Sequence, residues 1–121
     1  MILLESLHHI SLGSADLDRT AEFYEQVLDM EIVERSESHL LVYLEPIALR
    51  FNLVKDYEAR ATHPSEGSLS YILDVDDFTN AITGLEEKEV EILEGPIAIE
   101  GGESLLIQDP DGHFIELFYR E

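Results

Sequence analysis

Cysteine and tryptophan are absent from this chain, and lysine occurs twice, at Lys55 and Lys88. Without cysteine there are no disulfides, no thiolate metal sites and no thiol nucleophile. Long apolar runs are missing too: no stretch approaches the roughly 18 residues that a membrane span requires. The N-terminal Met1-Ile2-Leu3-Leu4 meets Glu5 at once, so no signal peptide is expected. Basic residues are scarce, with seven Lys and Arg against 27 Asp and Glu and a formal net charge of −20. A field of that sign repels nucleic acid and anionic membranes, so neither is expected as a partner. No Gly-x-Ser-x-Gly, His-Glu-x-x-His or Walker motif occurs, and Gly101-Gly102 reads as a turn. What remains is a soluble, cytoplasmic chain of 121 residues with room for one core. Its acidic surface reads as a solvated coat, with adaptation to high salt as a second reading.

What is present is a pattern that occurs twice. Leu3 to Leu12 reads as a strand, and Asp16 as the cap of a helix carrying Leu17, Ala21, Tyr24, Val27 and Leu28 at helical spacing. Strand signals follow at Glu31–Arg35, His39–Leu44 and Ile47–Val54, with Glu45-Pro46 as the break. In the second half, Leu69 to Val75 reads as a strand and Asp76 or Asp77 as a cap. Phe78, Ala81, Ile82 and Leu85 then form a helical stripe. Further strands are expected near Val90–Leu93, Ser104–Gln108 and His113–Tyr119, with the turns of segment 94–103 between the first two. Aligning residues 11–16 with 72–77 gives an offset of 61. We therefore expect one α+β domain of two βαβββ modules, about 1–54 and 68–121, joined by a polar linker at 55–67. A half-open barrel with a central cleft is the expected arrangement, and a ferredoxin-like sandwich the competing one.

One carboxylate stands out. After the turn Pro110-Asp111-Gly112, a strand alternates Phe114, Glu116 and Phe118 on one face with Ile115, Leu117 and Tyr119 on the other. Burying an unpaired charge between two aromatic rings is costly. Glu116 must therefore meet a cation or sit at the mouth of a cavity.

Two segments carry a likeness. The first comprises Leu7-His8-His9-Ile10-Ser11-Leu12, Asp16-Leu17 and Phe23-Tyr24-Glu25-Gln26-Val27-Leu28-Asp29-Met30. The second is Asp109-Pro110-Asp111-Gly112-His113-Phe114-Ile115-Glu116-Leu117. Together they resemble the vicinal oxygen chelate superfamily of glyoxalases, extradiol dioxygenases, fosfomycin-resistance enzymes and bleomycin-resistance proteins. The resemblance implies a divalent metal (Ni, Mn, Fe, Zn or Mg) held by His9 and by Glu116, which in several family members also moves protons. Where the second half would supply a histidine, Ser70 stands, and serine is a poor ligand for such a metal.

The resemblance thus implies a lyase, isomerase or dioxygenase whose metal chelates neighbouring oxygens of a small substrate. It also implies a homodimer, with His9 of one subunit facing Glu116 of the other. The alternative is a metal-free, bleomycin-resistance-like module that sequesters a cationic drug. Ser70, Arg50, Phe114 and Phe118 are the candidate substrate-binding residues. Arg50 suits an anionic substrate by bidentate pairing, and equally suits a role as a surface ion-pair partner. His9 is expected on a cleft-facing strand face with Leu7 and Ser11. Asp74 is a possible substitute oxygen ligand. His39 can face either way, His8 and His113 read as structural, and His63 reads as a solvated loop histidine, with a swing into the cleft as the alternative.

Overall fold

The computed structural model describes residues 1–74, 76 and 78–120. It divides the chain into two compact units, Met1–Glu58 and Ala59–Glu121. Both follow the order βαβββ, as the repeat in the sequence implies. No helix among the described residues is long and apolar enough to cross a membrane.

In the first unit, β1 (Ile10–Ser14) leads to α1 (Leu17–Glu22), which continues into a π-helical turn at Phe23–Val27. Asp16 caps the helix by accepting a hydrogen bond from Arg19 N at 3.1 Å. Strands β2 (Glu31–Arg35), β3 (His39–Leu44) and β4 (Ile47–Leu53) complete a sheet of order β1-β4-β3-β2. Leu40, Val42, Leu49 and Phe51 are buried on one face of it, with Ala21 and Tyr24 of the helical segment. The Tyr24 ring lies 4.7 Å from that of Phe51. Each such large apolar side chain contributes roughly 1.5–3 kcal/mol on burial.

The expected strand Leu3–Leu12 is shorter and later than the apolar pattern implied. Its pairing explains why. Ile10 is registered with Leu49, and β4 begins at Ile47, where it already turns from β3. A longer β1 has almost no partner left, so Met1 to Leu4 and Leu7 remain exposed. His9 therefore precedes the strand instead of standing within it.

In the second unit, a single 3₁₀ turn at Pro64–Glu66 precedes β5 (Ser68–Ile72) and α2 (Phe78–Glu87). The expected strand end at Val75 and the cap at Asp77 lie outside the described residues. Strands β6 (Glu94–Ile99), β7 (Gly102–Gln108) and β8 (Phe114–Arg120) follow, in the order β5-β8-β7-β6. Leu105, Ile107, Ile115 and Leu117 are buried, and Phe78 of the helix packs on Tyr119 at 4.8 Å. The two halves are offset by 61 residues at their helices, from Leu17 to Phe78. At their first strands, from Ile10 to Ser68, the offset is 58. Three extra residues between β5 and α2 account for the difference.

The strand expected at Val90–Leu93 is displaced to Glu94–Ile99, inside the stretch whose Gly95-Pro96 read as a turn. β6 is an edge strand, where a missing proline N–H leaves no internal ladder bond unmade. The register with β7 shifts between Glu94, opposite Leu106, and Ile97, opposite Ser104. Gly95 sits in this bulge at φ +105°, and a Cβ there would lie 2.5 Å from the Ser104 carbonyl oxygen. Replacing it with alanine should therefore destabilise the protein by about 1–3 kcal/mol. Thermal unfolding of Gly95→Ala checks this, and an unchanged midpoint would contradict the bulge geometry.

Candidate functional site

Glu116 is placed by the turn before its strand. Buried Asp109 accepts hydrogen bonds through Oδ1 from the N–H groups of Asp111 and His113, both at 2.9 Å. Gly112 takes the left-handed backbone the turn needs, at φ +92°. β8 leaves this turn with Ile115 and Leu117 toward the core and Glu116 on the opposite face, half-buried. Phe114 and Phe118 flank it on that face, the first buried and the second half-buried.

Both neighbouring strands hold the glutamate in register. Ser70 on β5 pairs with it on one side and Leu106 on β7 on the other. Ser70 Oγ donates a 3.1 Å hydrogen bond to Glu116 Oε1. A pocket of about 70 Å³ opens beside this pair, lined by Ser68, Ser104, Leu106, Glu94 and Ile97 among others. Ser70, Glu116, Phe114 and Phe118 are thus brought to one sheet face, as their sequence positions imply.

His9 and Arg50 belong to the first unit. His9 is half-buried, its Nδ1 2.8 Å from His8 Nδ1 and its Nε2 3.1 Å from Ser11 Oγ. It shares the Ser11 side of the chain, as the alternation implied, while His8 proves to be its direct neighbour. Ser11 in turn pairs with Arg50 on β4. Arg50 Nε donates to Asn52 Oδ1 at 3.0 Å, which orients the guanidinium along its strand.

Other candidates take structural parts. His63 caps the 3₁₀ turn, its Nδ1 accepting from Ser65 N at 3.1 Å. Asp74 Oδ1 accepts from Asp76 N at 3.1 Å in the loop after β5. His113 contributes its backbone N–H to the Asp109 turn.

Three groups escaped the sequence reading. Glu94 enters the pocket because of the β6 bulge, which alternation alone does not reveal, and Ser104 reaches it by the regular alternation of β7, on the face of Leu106 and Glu116. The third is the pair Glu34 and His39, 2.7 Å apart across the β2–β3 turn, with His39 Nδ1 also 3.0 Å from Ser36 Oγ. The hydrogen bond and charge of His39 hold the Glu34 carboxyl below the usual carboxylate range, with a smaller contribution from Arg50. A depressed acid stabilises the fold above its unfolded value and loses that contribution as pH falls through its folded value. The contribution of Glu34 should therefore fade in the acid range below ordinary glutamates. A ¹³C carboxyl NMR titration should find Glu34 titrating low, and His39→Ala should raise it toward the ordinary value.

Comparison with known proteins identifies the framework. The model of the Glyoxalase/Bleomycin resistance protein/Dioxygenase superfamily matches residues 6–117. The chain belongs to this superfamily. It is 32% identical over 117 residues to a metallothiol transferase FosB of Staphylococcus epidermidis, covering 94% of this chain and 81% of that protein. It is 30% identical to the glyoxalase domain-containing protein RDO1 of Mycosarcoma maydis, covering 94% of this chain and 68% of the relative. Among solved structures, a glyoxalase/dioxygenase from Nostoc punctiforme superposes with a TM-score of 0.82 at 20% identity, covering 100% of this chain and 97% of that one. The fosfomycin resistance protein FosX of Listeria monocytogenes, in an E126Q form with Mn(II) and a dihydroxypropylphosphonic acid, gives 0.79 at 18% identity, covering 95% and 90%. At that identity both structures speak for the fold.

The donors present fit a divalent cation in part. Glu116 offers a carboxylate whose Oε2 is not used by Ser70, and His9 offers an imidazole. Pairing aligned on the strands or on the helices puts the second-half counterpart of His9 within Gly67-Ser68-Leu69-Ser70. That stretch holds two hydroxyls and no imidazole or carboxylate. Among the described residues, no three His, Cys, Asp or Glu side chains are grouped to hold a metal.

Proposed function

We propose that this protein is a small enzyme of the glyoxalase type that acts on a small organic molecule, with Glu116 as its central residue. The observation that carries this reading is the half-buried Glu116 carboxylate, fixed by Ser70 at the edge of a pocket, in a chain of this superfamily. In this reading Glu116 and His9 hold a divalent cation, with the two residues contributed by different subunits of a homodimer. When bound, the metal supplies Lewis-acid polarisation of neighbouring substrate oxygens.

The chain's own groups do the rest. Ser70 holds Glu116 by one oxygen, which leaves the other directed away from that bond for a ligand or a proton. Phe114 and Phe118 flank the carboxylate on the same face and offer apolar surface to the carbon part of a substrate. To hold the cation, His9 would give up its contact with His8 or Ser11. The reaction class, among lyase, isomerase, transferase and dioxygenase, depends on the substrate. The relatives named as metallothiol transferases favour group transfer.

A second reading is a metal-free binding module, favoured by the two serines, Ser68 and Ser70, that stand where a third strong ligand is missing. Elemental analysis after reconstitution with Mn(II) or Ni(II) separates the two. The enzyme reading expects metal in the wild type and at least a tenfold loss of affinity in His9→Ala and in Glu116→Ala, about 1.4 kcal/mol or more. Wild-type protein that retains no metal would overturn it.

A further inference from the structure

The pocket beside Glu116 has an unusual lining. Its two charged residues, Glu94 and Glu116, are both acidic, and none of its lining residues is basic. The bulge in β6 is the cause of this pairing. Residues three apart on a regular strand point to opposite faces. Here Glu94 is registered with Leu106 and Ile97 with Ser104, which lie two apart on β7 and so share a face. The extra residue at Gly95-Pro96 thus turns both Glu94 and Ile97 into the pocket, the kind of re-aiming that bulges perform.

Ser104 supplies an independent sign of a ligand. It is 8% exposed and shares the pocket face with Leu106 and Glu116. Among the described residues its hydroxyl has no hydrogen-bond partner, whereas buried polar side chains are nearly always satisfied. It is not sealed from outside either, since no fully enclosed side-chain oxygen lacks a partner among the described residues. Its residual opening therefore lies at the hydroxyl, toward the pocket.

Size and spacing select the kind of ligand. Glu94 and Glu116 are separated by β7, two strand spacings or roughly 9–10 Å along the sheet, with Leu106 standing between them. That separation, with a leucine between, suits a ligand larger than a bare metal ion. The space of about 70 Å³ exceeds the roughly 10–15 Å³ that a single water-sized group occupies by the same measure. Pro64, Ile97 and Leu106 offer apolar wall for a short hydrocarbon stem.

We propose that Glu94 and Ser104 bind the cationic head group, an ammonium or guanidinium, of a small organic substrate. The head group donates to the Glu94 carboxylate and to Ser104 Oγ, while Glu116 is left to the divalent cation. This deepens the proposed function by naming a substrate class, and it rests on that reading of the Glu116 pocket as the substrate pocket. It also sets this chain apart from the structural neighbour solved with a phosphonic acid, because the Glu94 carboxylate, uncompensated by the metal, repels such a group.

Isothermal titration with n-butylammonium, n-butylguanidinium and n-propylphosphonate tests it, in about 0.15 M salt, where the Debye length of about 8 Å screens the diffuse acidic field. Saturable one-to-one binding of a cation, and none of the phosphonate, is expected. Glu94→Gln should weaken cation binding about tenfold or more and Ser104→Ala about three- to tenfold. Glu37→Gln, which removes the same charge from an exposed turn in the first unit, should change nothing. Equal loss in Glu94→Gln and Glu37→Gln, unchanged affinity in Glu94→Gln, or phosphonate binding would each overturn the inference. Metal content separates the two claims. Cation binding that depends on Glu94 in a protein devoid of metal would sink the metal reading alone. Retained metal with Glu94-independent cation binding would sink this one alone.

Discussion

The position of Glu116 depends on the register of β8, a strand paired on both sides. Its neighbours β5 and β7 bracket it from Phe114 to Phe118. A slip of one residue would turn Glu116 into the core and carry Ile115 and Leu117, both buried, out to solvent. Loss of that burial and desolvation of a carboxylate act in the same direction. The hydrophobic core of the second unit and the chemistry of its open face are therefore set by the same pairing. The Asp109 turn fixes where the strand begins, and Phe78 packed on Tyr119 anchors its far end.

The first unit repeats the backbone plan and fills it with different chemistry. Both sheets place a parallel pair at one side, and in both a helical aromatic meets an aromatic of the last strand. Yet the row that carries Ser70 and Glu116 in the second sheet has Ser11 beside Arg50 in the first, flanked by Asn52. An acidic face and a face with a guanidinium thus stand on the same scaffold. Duplication preserves what the core requires, and leaves the outward-facing alternate positions free to diverge.

Much of this was legible in the residues themselves. Period-2 alternation from Phe114 to Tyr119 assigned Glu116 its face, and the strands Glu31–Arg35 and His39–Leu44 were read to their ends. The helix cap at Asp16 is local chemistry and was equally readable. The misreadings have physical causes. Leu3, Leu4 and Leu7 look like a strand, but strand length is limited by its partner, and β4 begins too late to pair with them. Gly95-Pro96 looks like a turn because those residues suit turns. At the free edge of a sheet they also suit a bulge, and edge position is a tertiary fact. The place of Glu94 follows from that bulge, so no local pattern announced it. The binding roles of Arg50, Phe114 and Phe118 are questions of ligand chemistry, beyond what alternation can decide.

The bulge in β6 has a second consequence, for the company the protein keeps with itself. An exposed edge with Ile97 and Ile99 on it is the kind of surface that recruits another strand and starts aggregation. Pro96 withholds a donor from any incoming ladder, and the irregular register at Glu94–Ile97 denies it a regular template. A chain with so high a concentration of like charge already resists crowding by repulsion. At this edge it also resists by shape, a protection that persists when salt has screened the charge.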